Sequence, residues 1–300
     1  MIKKTDEKKQ QEPQIETPTG ERINRFIATC GLCSRREADR WIAAGRVAIN
    51  GKVIEQQGIK VKLEDVVKVD GKVISKHEEK TYLLYYKPKG FLCTRRDDKK
   101  RPLIYNQLRI AANVQSIGRL DMDSEGLLLL TDDGALAQKL THPSYKIPRQ
   151  YRVRITSQLS LESLEKLRSG GIDMGEGDIS DPWELVVNSE SKGHSWITLT
   201  IYRGRYREVR RTLKALKHEV RRLIRTQFSN MHLDQEIRPG QWRALKAGEV
   251  SRLQQAVSRK NTKKKPLKVS KSRCIEGFTL RHLIDCMKQP FRRHTILCRL

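Results

Sequence analysis

The segment that most constrains the fold is a polar loop that runs without a break into an apolar strand. Its sequence is Gly118-Arg-Leu-Asp121-Met-Asp-Ser-Glu-Gly126-Leu-Leu-Leu-Leu-Thr131. Four successive leucines bounded by polar residues predict a buried strand near residues 127–131. The loop would hold the Asp121 carboxylate beside a buried sheet, where an ionised aspartate next to a cation can act as a nucleophile or a base. An ordinary acidic turn is the competing interpretation of these residues alone.

Metal binding is another interpretation of the same loop. Asp121-x-Asp123-x-Glu125-Gly126 imitates the first half of a calcium-binding loop, but a leucine run replaces the remaining ligands and the exit helix. Cys30-x-x-Cys33 has metal spacing, yet no second Cys/His pair follows at a suitable distance. We therefore expect no metal and no cofactor.

The charge of the chain indicates a polyanionic partner. Lys and Arg number 61 against 35 Asp and Glu, which gives a net charge of +26. Nucleic acid is favoured over a membrane, because no apolar run approaches the roughly 20 residues of a spanning helix. Residues 1–20 mix both charges without an apolar stretch, which predicts a disordered cytoplasmic lead-in instead of a signal peptide.

Two helices followed by a small sheet are predicted for residues 22–75. The apolar residues from Ile23 to Cys30 share one helical face. Ser34 and Glu37 have the spacing of a capping box, which starts a second helix that ends at Gly45. Asn-Gly at residues 50–51 and Asp-Gly at residues 70–71 lie between short apolar segments and predict two hairpins.

Basic side chains gather on this helix pair. A solvated helix face is the simplest explanation of such a cluster, but several guanidinium groups on one helix pair can also contact successive phosphates. We favour RNA contact. The residues expected to make it are Arg22, Arg25, Ser34, Arg35 and Arg36.

A second domain is predicted for residues 81–250, after a polar linker near 75–80. It opens with the apolar segment at residues 82–86. Its further strands are expected near 127–131, 151–155, 183–187, 196–202 and 220–225, and its helices near 135–140, 161–168 and 207–217. This mixture predicts an α+β domain with a mainly antiparallel sheet. The basic tail at residues 251–300 matches no pattern that predicts a structure. An irrelevant extension, a partner-binding helix near 280–287 and the trace of a shifted reading frame are the open alternatives.

Three motifs in this order resemble a known enzyme family. They are Lys87-Pro-Lys-Gly90, Gly118-Arg-Leu-Asp121 and Gly204-Arg-Tyr-Arg207-Glu-Val-Arg210-Arg211. They resemble the branch of ribosomal RNA pseudouridine synthases that comprises the small-subunit enzyme of type A and the large-subunit enzymes of types B, E and F. Type B is the most similar of these. The front residues Arg22-x-x-Arg25 and Ser34-Arg-Arg-Glu37 resemble the alpha-L RNA-binding motif.

The resemblance implies roles for individual residues. Asp121 would be the catalytic aspartate, and Tyr151 would pack against the target uracil. Arg210 would pair with the Asp121 carboxylate and lower its pKa. Arg119 would help to flip or hold the nucleotide.

Further RNA contacts are expected around these residues. The predicted helix at 207–217 has a basic side, and Glu208 is its only acidic residue, so phosphate contact is favoured over ion pairing. We expect Lys87, Arg207 and Arg211 to contact RNA.

The reaction implied by the resemblance is isomerisation of a uridine in 23S ribosomal RNA to pseudouridine. The glycosidic bond breaks, the base turns, and C5 rejoins the sugar, so no cofactor motif is needed. Asp121 would act by addition to C1′ or by assisting loss of a C2′ proton. The alternatives are a 16S rRNA synthase, a non-catalytic rRNA-binding or ribosome-assembly protein, and a DNA-binding protein driven by charge. A monomer is expected, since no heptad seam is evident.

Deletion of residues 1–78 is expected to weaken RNA binding, because it removes the basic helix pair and its phosphate contacts. Filter binding of the full chain and the deletion variant to the same rRNA fragment, at equal salt, measures the change. Unchanged affinity would contradict the prediction.

Overall fold

The computed structural model describes residues 20–76, 79–191 and 193–258, and it begins with a small two-helix module. The Ser34 hydroxyl accepts a hydrogen bond from the Glu37 amide at 3.2 Å, which confirms the predicted start of the second helix. Asn50 and Asp70 have positive φ and precede glycines, as tight hairpins require. The elements are β1 (Glu21–Arg22), α1 (Ile23–Thr29), α2 (Arg35–Ala43), β2 (Val47–Ile49), β3 (Lys52–Ile54), β4 (Lys60–Val61), β5 (Val67–Val69) and β6 (Lys72–Val73).

The two helices pack on a four-stranded antiparallel sheet in the order β3-β2-β5-β6. Ile23 and Ile27 of α1 meet Ala38 and Ile42 of α2 in a shared apolar core with Val47. The pairing of β1 with β4 was not predicted, because two-residue strands show no periodicity.

The second domain contains mixed helices and strands, as predicted. Its elements are β7 (Tyr82–Lys87), α3 (Ile104–Leu108), β8 (Gln115–Ser116), β9 (Glu125–Thr131), α4 (Gly134–Thr141), β10 (Arg149–Ile155), α5 (Leu161–Ser169), β11 (Glu184–Ser191), β12 (His194–Ile201), α6 (Glu208–Ala215), β13 (Val220–Phe228), β14 (Met231–His232), β15 (Trp242–Ala244) and α7 (Ala247–Ser258). Within the described residues the main sheet runs β11-β12-β10-β13-β9-β7-β15. Its pairs are antiparallel except β9 with β13, which confirms a mainly antiparallel sheet.

Both faces of this sheet are covered, which explains the leucine run. Leu128 and Leu130 belong to the apolar core on one side, whereas Leu127 and Leu129 belong to the core on the other. All seven residues of β9 are buried. A central strand covered on both faces cannot alternate apolar with polar residues, so it appears in the sequence as a continuous apolar run.

The packed fold extends past the expected boundary at residue 250. Helix α7 continues to Ser258, and its Leu253 and Val257 are buried in the core that also holds Leu127. The predicted lead-in up to residue 19 and the tail from residue 259 lie outside the described residues. In the part of the chain that the structure describes, no helix has the length and apolarity needed to cross a membrane.

Substituting Gly126→Ala is expected to destabilise the domain by about 2–4 kcal/mol. Gly126 has a φ of +107°, and a methyl group there would collide with the backbone of Arg225 on β13. Urea unfolding followed by circular dichroism measures the change. Gly134→Ala at the start of α4 is the control, because no atom lies within 4 Å of its added methyl group. Equal stability of both variants would contradict the role given to Gly126.

Candidate active site

A cavity of about 300 Å³ lies where the loop before β9 meets β10, α6 and β13. Asp121, Tyr151 and Arg210 all line it, although they are far apart in the sequence. Arg119 and Arg207 line it as well. The fold therefore brings the three residues expected to be catalytic to one place.

Lys87 fixes the loop that carries Asp121. It is the last residue of β7 and is fully buried. Its Nζ donates hydrogen bonds to the carbonyl oxygens of Pro88 at 3.0 Å, Asp121 at 3.1 Å and Ser124 at 2.8 Å. Burial lowers the pKa of Lys87, an effect that nearby carboxylates partly oppose. The expectation that Lys87 contacts RNA is wrong, because its ammonium is enclosed and holds protein carbonyls.

The Asp121 carboxylate is left available by this arrangement. Its residue is half-buried, and its backbone oxygen accepts hydrogen bonds from Lys87 and from the Ser124 amide. Among the described residues no side chain forms a hydrogen bond or ion pair with the carboxylate itself. The loop is thus anchored through its backbone, while the acidic group remains open to a ligand.

Arg210 pairs with a different aspartate from the one expected. Its Nε lies 3.1 Å from Asp123 Oδ2, and its Nη2 donates to the Asp123 carbonyl at 2.9 Å. Arg207 also binds Asp123, through two hydrogen bonds of 3.0 and 2.9 Å. The predicted direct pair with Asp121 is therefore corrected, because a carboxylate two residues further along the loop occupies both arginines.

The pKa of Asp123 reflects this double pairing. Burial alone would raise it, but the Arg207 hydrogen bonds and the charges of Arg210 and Arg207 outweigh burial and hold the pKa below its ordinary value. The loop and the start of α6 are thereby joined by an ionised group at neutral pH.

The expected RNA contacts of Arg207 and Arg211 are also corrected. Arg207 is engaged by Asp123, and Arg211 binds the Asp178 carboxylate at 2.9 Å and the carbonyls of Met174 and Gly175. The sequence around α6 showed no acidic partners, because the carboxylates come from segments more than 30 residues away. These arginines hold loops against α6.

Tyr151 lies on β10 and is only 8% exposed. Opposite it on β13 stands Arg225, which is 2% exposed and lines the same cavity. Sequence reasoning missed Arg225, because an arginine in a strand is usually solvent-facing. Its position in the predicted strand at 220–225 gave no signal of burial.

The front module presents its basic residues to solvent. Arg22, Arg25, Ser34, Arg35 and Arg36 are all exposed. Arg25 pairs with Glu21 at 3.0 Å on the surface, a contact that water screens strongly. All of them but Arg22 line a cleft whose other wall includes Arg119 of the loop before β9. Because Arg119 also lines the cavity, the cleft and the cavity are adjoining.

Comparisons with known proteins match both domains of the chain. The family model described as RNA pseudouridylate synthase matches residues 81–215, and that of the S4 domain matches residues 21–67. A Bacillus subtilis (strain 168) protein named ribosomal large subunit pseudouridine synthase B is 39% identical over 235 residues, which cover 78% of this chain and 95% of that protein. An uncharacterized RNA pseudouridine synthase of Aquifex aeolicus (strain VF5) is 38% identical over 239 residues, covering 79% and 97%. A crystal structure of a pseudouridylate synthase aligns with a TM-score of 0.57 and 30% identity, covering 78% and 99%.

The chain belongs to the RNA pseudouridine synthases, with an S4 domain in front of the catalytic domain. Within that family it is similar to the ribosomal large-subunit synthases of type B. The predicted enzyme class, the front RNA-binding domain and the α+β catalytic domain are confirmed. The roles of Asp121, Tyr151 and Arg210 stay predictions.

Replacing Asp123→Asn is expected to lower the free energy of unfolding at pH 7 by about 1–2 kcal/mol, since it removes the charge that accepts two hydrogen bonds from Arg207 and forms an ion pair with Arg210. The folded-state pKa of Asp123 lies below its ordinary value of 3.8. The stabilisation is therefore complete above pH 3.8 and is lost as the pH falls through the folded-state pKa. Denaturant titrations at several pH values should show the gap between wild type and variant closing in acid.

Asp98→Asn serves as the matched control for this experiment, because Asp98 is exposed. It should change stability by less than about 0.5 kcal/mol at any of these pH values. A gap for Asp123→Asn that is absent at pH 7, or that persists unchanged in acid, contradicts the pairing described here.

Proposed function

We propose that this chain isomerises a specific uridine of 23S ribosomal RNA to pseudouridine, with Asp121 as the catalytic carboxylate. The observation that carries the proposal is the Asp121 carboxylate, which is open to a ligand and lines the same cavity as Tyr151. The loop that holds Asp121 is fixed by the buried Lys87. We also propose that the protein is a cytoplasmic monomer.

Similarity to large-subunit enzymes supports the choice of substrate. The Bacillus subtilis relative carries that name at 39% identity, and so does a relative from Buchnera aphidicola subsp. Acyrthosiphon pisum (strain APS) at 34%. The exposed arginines of the front module supply phosphate contacts of the kind that a folded rRNA segment requires. Arg119 lies where their cleft adjoins the cavity, so RNA held in the cleft can deliver a nucleotide to Asp121.

The proposed reaction begins when the target uridine leaves its stack and enters the cavity. Arg119 holds the nucleotide at the entrance, and the uracil packs against Tyr151. Asp121 acts at the sugar, by addition to C1′ or by assisting loss of the C2′ proton, and the N1–C1′ bond breaks. The base turns, and C5 bonds to C1′ as the Asp121–C1′ bond breaks or, in the other route, as the proton returns to C2′. The C5 proton is then removed with the assistance of Tyr151.

Arg207 and Arg210 are positioning residues in this proposal. Both bind Asp123, two residues beyond Asp121, and Lys87 holds the same loop through its backbone carbonyls. A carboxylate on a loop fixed at these points keeps its orientation without losing its own lone pairs to a protein donor. Such preorganisation is worth several kcal/mol in a reaction that needs close alignment.

Tritium release from large-subunit rRNA labelled at uridine C5 tests the proposal. Wild type should release tritium, and Asp121→Asn should reduce the rate by about 10³-fold or more, because the amide cannot act as a nucleophile or a base. Asp98→Asn, which changes an exposed aspartate, should match wild type.

RNA binding measured in parallel separates the possible outcomes. Release that continues with Asp121→Asn would remove that residue from the mechanism. Tight rRNA binding with no release from wild type would support a non-catalytic rRNA-binding protein instead, and release from 16S but not 23S rRNA would reassign the substrate.

A further inference from the structure

Two buried arginines line the cavity beside Tyr151 and have no carboxylate partner. Arg225 is 2% exposed and Arg149 is 9% exposed. Their guanidinium carbons lie 5.1 and 5.5 Å from the centre of the Phe228 ring. Neither forms an ion pair with any carboxylate in the described residues, unlike Arg205, Arg207 and Arg210, which line the same cavity.

One buried donor group of these two arginines has no hydrogen-bond partner among the described residues. Arg149 Nη1 donates to the carbonyl oxygens of Ile147 and Tyr202, each at 3.1 Å. Arg225 Nε donates to the Leu127 carbonyl at 2.7 Å, but its buried Nη2 has no hydrogen-bond partner among the described residues. A buried cationic donor without a hydrogen-bond partner costs several kcal/mol. A ligand that enters the cavity and accepts this hydrogen bond would offset that cost.

A β-bulge gives these side chains their common direction. The register of β10 against β13 shifts between Gln150 and Tyr151, which places Arg225 opposite Tyr151 and Phe228 opposite Arg149. In a regular strand residues three apart point to opposite faces, yet Arg225 and Phe228 both line the cavity. Bulges of this kind redirect side chains next to active sites.

We propose that Arg225 is a substrate-binding residue whose guanidinium, with its unpaired Nη2, turns to donate a hydrogen bond to a carbonyl oxygen of the target uracil. The inference rests on the proposed function of the cavity. When the N1–C1′ bond breaks, its electron pair stays on the base, and the negative charge spreads over N1, O2 and O4. The charge returns to the new C5–C1′ bond, and the C5 proton leaves. A fixed donor stabilises the anion more than the neutral base and so accelerates cleavage.

The base fits this position better than a backbone phosphate does. Arg225 is the direct cross-strand neighbour of Tyr151, which is expected to pack against uracil. Both are more than nine-tenths buried, whereas Arg119 at the entrance is exposed. A backbone phosphate is linked to the RNA strand on both sides and therefore remains near the entrance of the cavity. A flipped base can enter the enclosed part.

Single-turnover tritium release from a short rRNA substrate tests the inference. The target uridine is replaced in turn by 2-thiouridine and 4-thiouridine, in which one carbonyl oxygen becomes sulfur, a weak acceptor. Wild type should be slowed by about 10–100-fold at one of the two positions, less than the roughly 10²–10³-fold for complete loss of a preorganised donor, because sulfur still accepts a weak hydrogen bond. Arg225→Lys should slow the natural substrate by a similar factor and lose sensitivity to that sulfur.

Arg222→Lys is the matched control, since Arg222 lies on the same strand, binds Glu125 and does not line the cavity. It should keep the wild-type response to sulfur. If neither sulfur substitution slows wild type, the inference is overturned. This outcome is measured on wild type alone, so it decides the question even if Arg225→Lys does not fold. Phosphorothioates beside the target uridine provide the alternative test. If they slow wild type but not Arg225→Lys, the donor binds a phosphate instead of the base. If wild type releases no tritium from any uridine, the proposed function itself fails.

Discussion

The buried ammonium of Lys87 is the interaction on which the site depends. Enclosing a charge costs several kcal/mol unless its donors are satisfied, and here three carbonyl oxygens satisfy them. Two of those carbonyls belong to the loop between Asp121 and Ser124, so that loop cannot move without exposing the charge. Because the anchoring acts on the backbone, the Asp121 carboxylate keeps its full hydrogen-bonding capacity. A direct ion pair would fix the same side chain but would compete with its ligand.

The arginines of the chain divide into two groups with different uses. Except for the exposed Arg119 at the entrance, those that line the cavity are partly or fully buried and bind aspartates or backbone carbonyls of the protein, so they contribute to its architecture. Those of the front module are exposed, and screening by water leaves them free to exchange a surface partner for phosphate. The net charge of +26 therefore overstates the RNA-binding surface.

Local sequence patterns predicted most of the fold. Three patterns, each within about ten residues, predicted elements that the structure contains. They are the capping residues of α2, the Asn-Gly and Asp-Gly turns and the leucines of β9. Contacts between residues far apart in the sequence could not be predicted from local patterns. Nothing near Arg210 indicates that Asp123 will meet it, and nothing near Lys87 indicates three carbonyls, because both contacts depend on how the strands are ordered. Motif order located the residues of the cavity, whereas their pairing required the structure.

Strand order also explains why a glycine stands between Lys87 and Arg225 in the sheet. Lys87 on β7 is opposite Gly126 on β9, Gly126 is opposite Arg225 on β13, and Arg225 is opposite Tyr151 on β10. Two buried cations thus flank one position in a single row across the sheet. A side chain between them would displace the backbone of Arg225, and the loop that Lys87 holds ends at Ser124, two residues earlier. The absence of a Cβ at Gly126 lets the parallel pair of β9 and β13 close, and this closure brings the loop of Asp121 to Tyr151.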